Sequence, residues 1–147
     1  MRAVFLCALL AGCANQVSFQ FTLSDGTVAT SSSQASGTVN NAGFVTLTDT
    51  DWSLTMNLLG LAPGNHVITA GSGDLQIARA STGETYMASL GGTCNVWLDP
   101  HNASNGSPVD GHFTCTGLTS TTGKTIDVTN ATVEVPIDDP ANNPIHK

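Results

Sequence analysis

Four side chains that can transfer protons or bind metal ions lie close together in the chain: Asp99, His101, Asp110 and His112. Carboxylates and imidazoles are the usual acids and bases of hydrolytic sites. Carboxylate oxygens are also ligands for Ca²⁺, and the intervening loop, residues 100–109, would add carbonyl and amide oxygens. The spacing matches no standard calcium loop, so hydrated turn-forming carboxylates are the competing interpretation. Which of these interpretations applies depends on the strands and turns that position the four side chains.

The first thirteen residues have the pattern of an export signal. Arg2 provides a positive charge, and residues 3–10 form an apolar run. That run fits a secretory signal and is too short to span a bilayer, which needs about 20 residues. The last four of the thirteen residues, Leu10-Ala11-Gly12-Cys13, resemble the lipobox of bacterial lipoproteins. The competing interpretation is a buried first strand in which Cys13 is an ordinary thiol.

The lipobox resemblance implies a lipoprotein signal peptide at residues 1–12 and a lipid on Cys13. Residues 13–16 would then form the lipidated N-terminus and a short tether. Because Ala14 and not Asp follows the cysteine, the resemblance further implies the outer membrane. We therefore expect a lipid-anchored protein of the cell envelope.

The four cysteines divide according to this interpretation. Cys7 would leave with the signal peptide and Cys13 would carry the lipid, so Cys94 and Cys115 remain. An exported protein meets an oxidising compartment, and the simplest pairing is a Cys94–Cys115 disulfide. A metal-binding pair is the alternative, although no Cys-x-x-Cys motif supports it.

The two remaining cysteines also suggest the register of a hairpin. If they lie opposite each other on antiparallel strands, the face that they share is apolar, and Trp97 and His112 oppose each other on the other face. The pairs on the apolar face would be Val96 with Phe113 and Leu98 with Gly111. Asp99 and Asp110 would then meet at the mouth of the loop. Trp97 beside His112 could be an exposed platform for a sugar or a peptide, or the tryptophan could lie under a loop.

Alternating apolar and polar residues predict strands along most of the remaining chain, most clearly at 17–23 and 52–58. Turn signals such as Asp25-Gly26 separate the runs. The last run, 124–137, changes phase, which predicts a bulge near Asn130.

This spacing of short strands predicts an all-β fold. We expect a single antiparallel β-sandwich, or a small barrel, of about eight to ten strands with one disulfide. It would cover residues 17–137 and be followed by a flexible C-terminal tail at 138–147.

Composition and charge exclude several classes of function. Charged residues make up only 10% of the chain, and the net charge is −7 with eleven acidic residues against four Lys and Arg. Such a surface repels phosphate, so nucleic acid is not an expected partner. It also gives no attraction to anionic lipid, so membrane attachment would have to come from the N-terminal lipid.

The C-terminal third carries a second resemblance. Gly111-His112-Phe113-Thr114-Cys115, followed by Val128-Thr129-Asn130-Ala131-Thr132-Val133-Glu134-Val135-Pro136, is similar to the ending of β-sandwich domains of unknown function in bacterial secreted proteins and lipoproteins. Ala131 stands where glycine is usual in that group, and Val133 where phenylalanine is usual. The resemblance supports the fold and the location but implies no site.

No Gly-x-Ser-x-Gly, His-Glu-x-x-His or phosphate-binding loop motif occurs in the sequence. We therefore expect a non-catalytic module without a cofactor, one that binds an envelope protein or glycan or has a structural role. Two alternatives stay open. One is a secreted hydrolase-like enzyme that uses the Asp and His cluster, and the other is a Ca²⁺-dependent sugar- or peptide-binding module that uses the 97–112 hairpin.

Overall fold

The computed structural model describes residues 17–101 and 107–137, which form eleven β-strands. The strands are β1 (Ser18–Leu23), β2 (Val28–Thr30), β3 (Ser36–Val39), β4 (Phe44–Thr48), β5 (Trp52–Asn57), β6 (Gly64–Thr69), β7 (Asp74–Arg79), β8 (Glu84–Met87), β9 (Thr93–Leu98), β10 (Pro108–Ser120) and β11 (Thr125–Pro136). Within these ranges no helix is long and apolar enough to cross a membrane. The all-β prediction is confirmed, and the eleven strands are one more than the upper limit of the eight to ten that were expected. The predicted signal peptide, tether and C-terminal tail lie outside the described residues.

The strands form one curled antiparallel sheet, a half-barrel. Its strand order is β2-β1-β11-β10-β8-β7-β5-β4-β3. The long strand β10 also pairs with β9 along residues 111–116, and β9 pairs in turn with β6. A parallel bridge between Val39 and Ile137 brings the last strand of the order back to the end of β11. The strands therefore curl around one apolar interior.

Contacts across the interior show this curl directly. The Phe21 and Trp52 rings lie edge to face with centroids 5.2 Å apart, although four strands separate β1 from β5 in the sheet order. Alternate residues of both strands face inward, as the period-two pattern predicts. The interior is thus closed by aromatic packing between strands that share no hydrogen bonds.

The predicted phase change in the last strand is confirmed as a bulge. Ile126 and Val128 are buried, Thr129 and Asn130 are both exposed, and burial resumes at Ala131. Asn130 has a φ of 51°, a left-handed conformation that Asn tolerates better than most residues. The register with both neighbouring strands shifts at this point. The extra residue keeps the apolar side chains on each side of the bulge directed inward.

The disulfide between Cys94 and Cys115 is confirmed, as is the register derived from it. The cysteines oppose each other with Cα atoms 4.1 Å apart, and both are buried. The opposed pairs are Val96 with Phe113, Trp97 with His112, and Leu98 with Gly111. One covalent bond therefore determines which side chains of β9 and β10 face the interior.

We expect the Cys94→Ala/Cys115→Ala protein to be less stable by about 3 kcal/mol, because the disulfide restricts an unfolded loop of about 20 residues. Urea unfolding of the two proteins measures this difference. Thr93→Ala/Thr116→Ala is the matched control, since these residues form the neighbouring opposed pair and both are exposed. A loss of stability that is equal in the two double variants would contradict the prediction.

Candidate binding surface

Trp97 and His112 lie side by side on the outer face of the half-barrel. The indole is 45% exposed, so no loop in the described residues covers it. The two rings are stacked at an interplanar angle of 22°, with centroids 6.4 Å apart. Because both Cβ atoms project from paired strands whose other faces are buried, the rings are held by the sheet itself. Trp97 is therefore an exposed side chain among the described residues, and its use as a platform for a sugar or a peptide stays a prediction.

Asp99 and Asp110 meet at the end of this hairpin, as the register predicts. The Asp99 N–H donates to the Asp110 carbonyl at 2.9 Å, which extends the ladder by one bond. His101 Nδ1 lies 3.1 Å from the carbonyl oxygen of Asp99. The two asparagines of the loop, Asn102 and Asn105, lie outside the described residues.

Within residues 17–101 and 107–137, no three His, Cys, Asp or Glu side chains are arranged to hold a metal ion. The five residues suggested by the sequence therefore form two groups here, an aromatic pair and the two aspartates with His101. Calcium binding by the whole loop stays a prediction, since residues 102–106 are not described.

A row of side chains extends from the aromatic pair across the outer face. The pairing places Asn65 beside Trp97 in one direction, and Thr132 beside His112 in the other. Thr132 is followed by Gln20 and then by Thr30. We call these six exposed residues the outer row: Asn65, Trp97, His112, Thr132, Gln20 and Thr30. Six strands at about 4.8 Å spacing give the row a length of about 24 Å.

The far end of the outer row opens into a polar hollow with a volume of about 380 Å³. Gln20, Thr30 and Thr132 line it together with the hydroxyl groups of residues 31–33. This wall is fixed in place, because Ser31 Oγ accepts the Phe19 N–H at 3.0 Å. The hollow thus presents amide and hydroxyl groups about three strands away from the indole.

The outer row lies beside an acidic edge. Asp110 opposes Glu134, and Asp99 adjoins Asp110. None of the six strands that carry the row contains Lys or Arg. The local potential is therefore negative, which disfavours anionic ligands.

A second groove of about 350 Å³ lies where β5 and β7 begin and end. The Arg79 guanidinium carbon lies 4.9 Å from the centre of the Trp52 ring, and Nε is 2.9 Å from Asp51 Oδ2. Asp51 also accepts the Ser81 N–H at 2.7 Å and the Ser81 hydroxyl at 3.0 Å. These contacts tie the β4–β5 and β7–β8 turns together. Since its charged groups already have partners, this groove is the weaker candidate for a ligand site.

Ion pairs at this end of the molecule lower the pKa of the carboxyl groups involved. The hydrogen bond from Arg79 holds the pKa of Asp51 below its ordinary value, and the Ser81 donors act in the same direction. The hydrogen bond from Lys124 does the same for Glu84, helped by the Tyr86 hydroxyl. Burial and the Glu84 carboxylate raise the pKa of Tyr86. Folding therefore favours the ionised carboxylates.

Sequence reasoning found the aromatic pair but missed the polar half of the row. Alternation did place Gln20 on the polar face of its strand, which the burial pattern of β1 confirms. No sequence signal showed that β1 lies beside β11, so Gln20 could not be connected to His112. The hollow forms because β11, β1 and β2 are neighbours in the sheet.

We expect that removal of the Asp51 charge makes the melting temperature depend less on pH below pH 6. Because the folded pKa of Asp51 lies below the ordinary value of about 4, its stabilisation is complete above that pH and is lost as the pH falls through the folded pKa. Asp51→Asn should melt earlier than wild type at pH 6 and approach wild type near pH 2. Melting curves measured across this range test the prediction.

The control for this experiment is Asp110→Asn, which removes the same charge from the opposite end of the sheet. Curves for Asp51→Asn and wild type that stay parallel from pH 6 to pH 2 would show that the ion pair does not contribute in this way.

In comparisons with known proteins, no family model, no curated protein and no solved structure matches this chain.

Proposed function

We propose that this protein is a lipid-anchored, non-catalytic module of the cell envelope that binds a neutral glycan along the outer row. The observation that carries the glycan proposal is the exposed Trp97 ring stacked on His112 within a row of amide and hydroxyl side chains. The lipobox-like sequence at Leu10-Ala11-Gly12-Cys13 supports the anchor.

The exposure of Trp97 favours a binding role over a structural one. Large aromatic side chains are usually well buried, because their transfer from water is strongly favourable. The described part of the protein buries Phe21 and Phe113 fully, so the fold accommodates aromatic residues in its interior. An indole left 45% exposed on a rigid strand offers a flat apolar surface to a ligand.

The chemistry of the outer row fits a saccharide. Pyranose rings present a face of C–H groups that can stack on an indole, while their hydroxyl groups pair with amides and hydroxyls. Asn65 lies beside Trp97, and Gln20 and Thr132 line the hollow further along. The acidic edge disfavours phosphorylated or uronate-rich glycans, so the ligand class is a neutral oligosaccharide.

We expect Trp97→Ala to weaken binding of neutral oligosaccharides by about tenfold or more, which corresponds to about 1.4 kcal/mol. The probes are tetrasaccharides of glucose and of N-acetylglucosamine, with affinity measured by isothermal titration calorimetry. Phe44→Ala is the matched control, since Phe44 is an aromatic residue 50% exposed on β4, away from the outer row.

Two results would remove the glycan proposal. One is wild-type protein that binds none of these probes at millimolar concentration. The other is a Trp97→Ala protein whose affinity equals that of the Phe44→Ala control.

The lipid anchor has its own test. Cells that express the protein and are fed radioactive palmitate should label it, and Cys13→Ser should abolish the label because the acceptor thiol is lost. Cys7→Ser is the matched control, because this cysteine lies in the same leader but outside the lipobox-like sequence, and it should leave labelling intact. Wild-type protein without label would contradict the anchor and leave the glycan proposal standing.

A further inference from the structure

Residues 99–101 combine a labile type of peptide bond with a nearby imidazole. Asp99 follows the last residue of β9. Its N–H donates a hydrogen bond to the Asp110 carbonyl oxygen, which fixes the backbone just before Pro100. His101 Nδ1 lies 3.1 Å from the carbonyl oxygen of Asp99. A protonated Nδ1 therefore donates a hydrogen bond to the carbonyl group of the Asp99–Pro100 bond, which polarises that carbonyl.

An Asp–Pro bond is chemically predisposed to break. The Asp side chain can attack its own peptide carbonyl carbon with closure of a five-membered ring, and carboxylates serve as nucleophiles in covalent catalysis. The leaving nitrogen is that of proline, a basic secondary amine once released. The Asp99 side chain and Pro100 are both exposed, so water reaches the products of the attack.

We propose that the chain cleaves itself between Asp99 and Pro100. A carboxylate oxygen of Asp99 forms a bond to the Asp99 carbonyl carbon, the C–N bond to Pro100 breaks, and the proline nitrogen takes a proton from the His101 imidazolium. Water then opens the cyclic anhydride to two carboxylates and releases two protons, one to His101 and one to the proline amine. The net change is hydrolysis of one peptide bond by one water molecule.

The surroundings of this bond are acidic. The titratable side chains on the packed strands are Asp110 and His112 on β10 and Glu134 on β11. The facing end of β6 contributes Gly64 and Asn65, which carry no charge. Among these described groups, His101 is the one that contacts the scissile carbonyl.

The fold would hold the two products together after cleavage. Cys94 lies before the bond and Cys115 after it, and their disulfide joins the fragments. Strand β9 also stays paired with both β6 and β10. Cleavage therefore opens the loop beside the outer row and creates two new chain ends without separating the polypeptides.

The test is incubation of the purified full chain at pH 5.5 and 37 °C. Reducing gels should show a fragment that ends at Asp99 and one that begins at Pro100, identified by mass spectrometry. Non-reducing gels should show a single species, because the disulfide joins the fragments.

The sequence supplies an internal comparison, since Asp139–Pro140 is a second Asp–Pro bond and is followed by alanine. We expect it to break about a hundredfold more slowly, which is the lower range of what a positioned proton donor contributes. Equal rates at the two bonds would mean ordinary acid lability and overturn the proposal, as would an intact Asp99–Pro100 bond.

Two variants test the roles of the side chains. Asp99→Ala removes the nucleophile and should stop cleavage at this bond. His101→Gln can still donate a hydrogen bond but cannot deliver a proton as imidazolium does, and it should slow cleavage about a hundredfold. Asp139→Ala is the control and should leave the rate at Pro100 unchanged. Cleavage of His101→Gln at the wild-type rate, in protein with an unchanged melting temperature, would overturn the proposal.

Discussion

The covalent bond between Cys94 and Cys115 is the constraint on which the arrangement of the outer face depends. Side chains alternate along a strand, so a shift of one residue between β9 and β10 would turn every side chain of one strand to the opposite face. The disulfide excludes that shift, because it joins two buried cysteines that lie directly opposite each other. With these two residues inside, Trp97 and His112 must both lie outside. The exposure of the indole and its position beside the imidazole are thus both consequences of the register.

The outer row continues beyond the hairpin only because β11 contains a bulge. Without the extra residue at Asn130, one half of β11 would direct its apolar side chains toward water. The bulge restores the phase, so that Thr132 lies outside next to His112 and Gln20 lies outside next to Thr132. The bulge therefore keeps apolar side chains of β11 in the core and also aligns polar side chains of separate strands on the outer face. Asn suits this position because it tolerates the positive φ of 51°.

The sequence was sufficient for features that depend on neighbouring residues in the chain. Period-two patterns located most strands, and the phase change predicted the bulge. The pairing of Cys94 with Cys115 predicted the hairpin register, which placed Trp97 against His112. The sequence could not predict which strands are neighbours in the sheet when they are far apart in the chain. Alternation indicates which face of a strand a residue occupies, but not which strand lies beside it. The contact of Trp52 with Phe21 and the approach of Gln20 toward the aromatic pair follow from the curl of the sheet, which no local pattern encodes.

The distribution of charge explains why the two ends of the half-barrel differ in character. Both cations of the described ranges, Arg79 and Lys124, form ion pairs with carboxylates, so that end is held by attraction. At the other end Asp110 opposes Glu134, and directly opposed like charges destabilise a sheet. The pair lies on β10 and β11, whose pairing continues on both sides of it, from Pro108 with Pro136 to Thr119 with Thr125. This pair beside the exposed Trp97 does not stabilise the fold, but it makes the local potential negative, which disfavours anionic ligands. Stability and surface charge therefore come from different interactions on the same strands: the disulfide and the strand pairing hold β9, β10 and β11 together, while the carboxylates of Asp110 and Glu134 make this end of the outer face acidic.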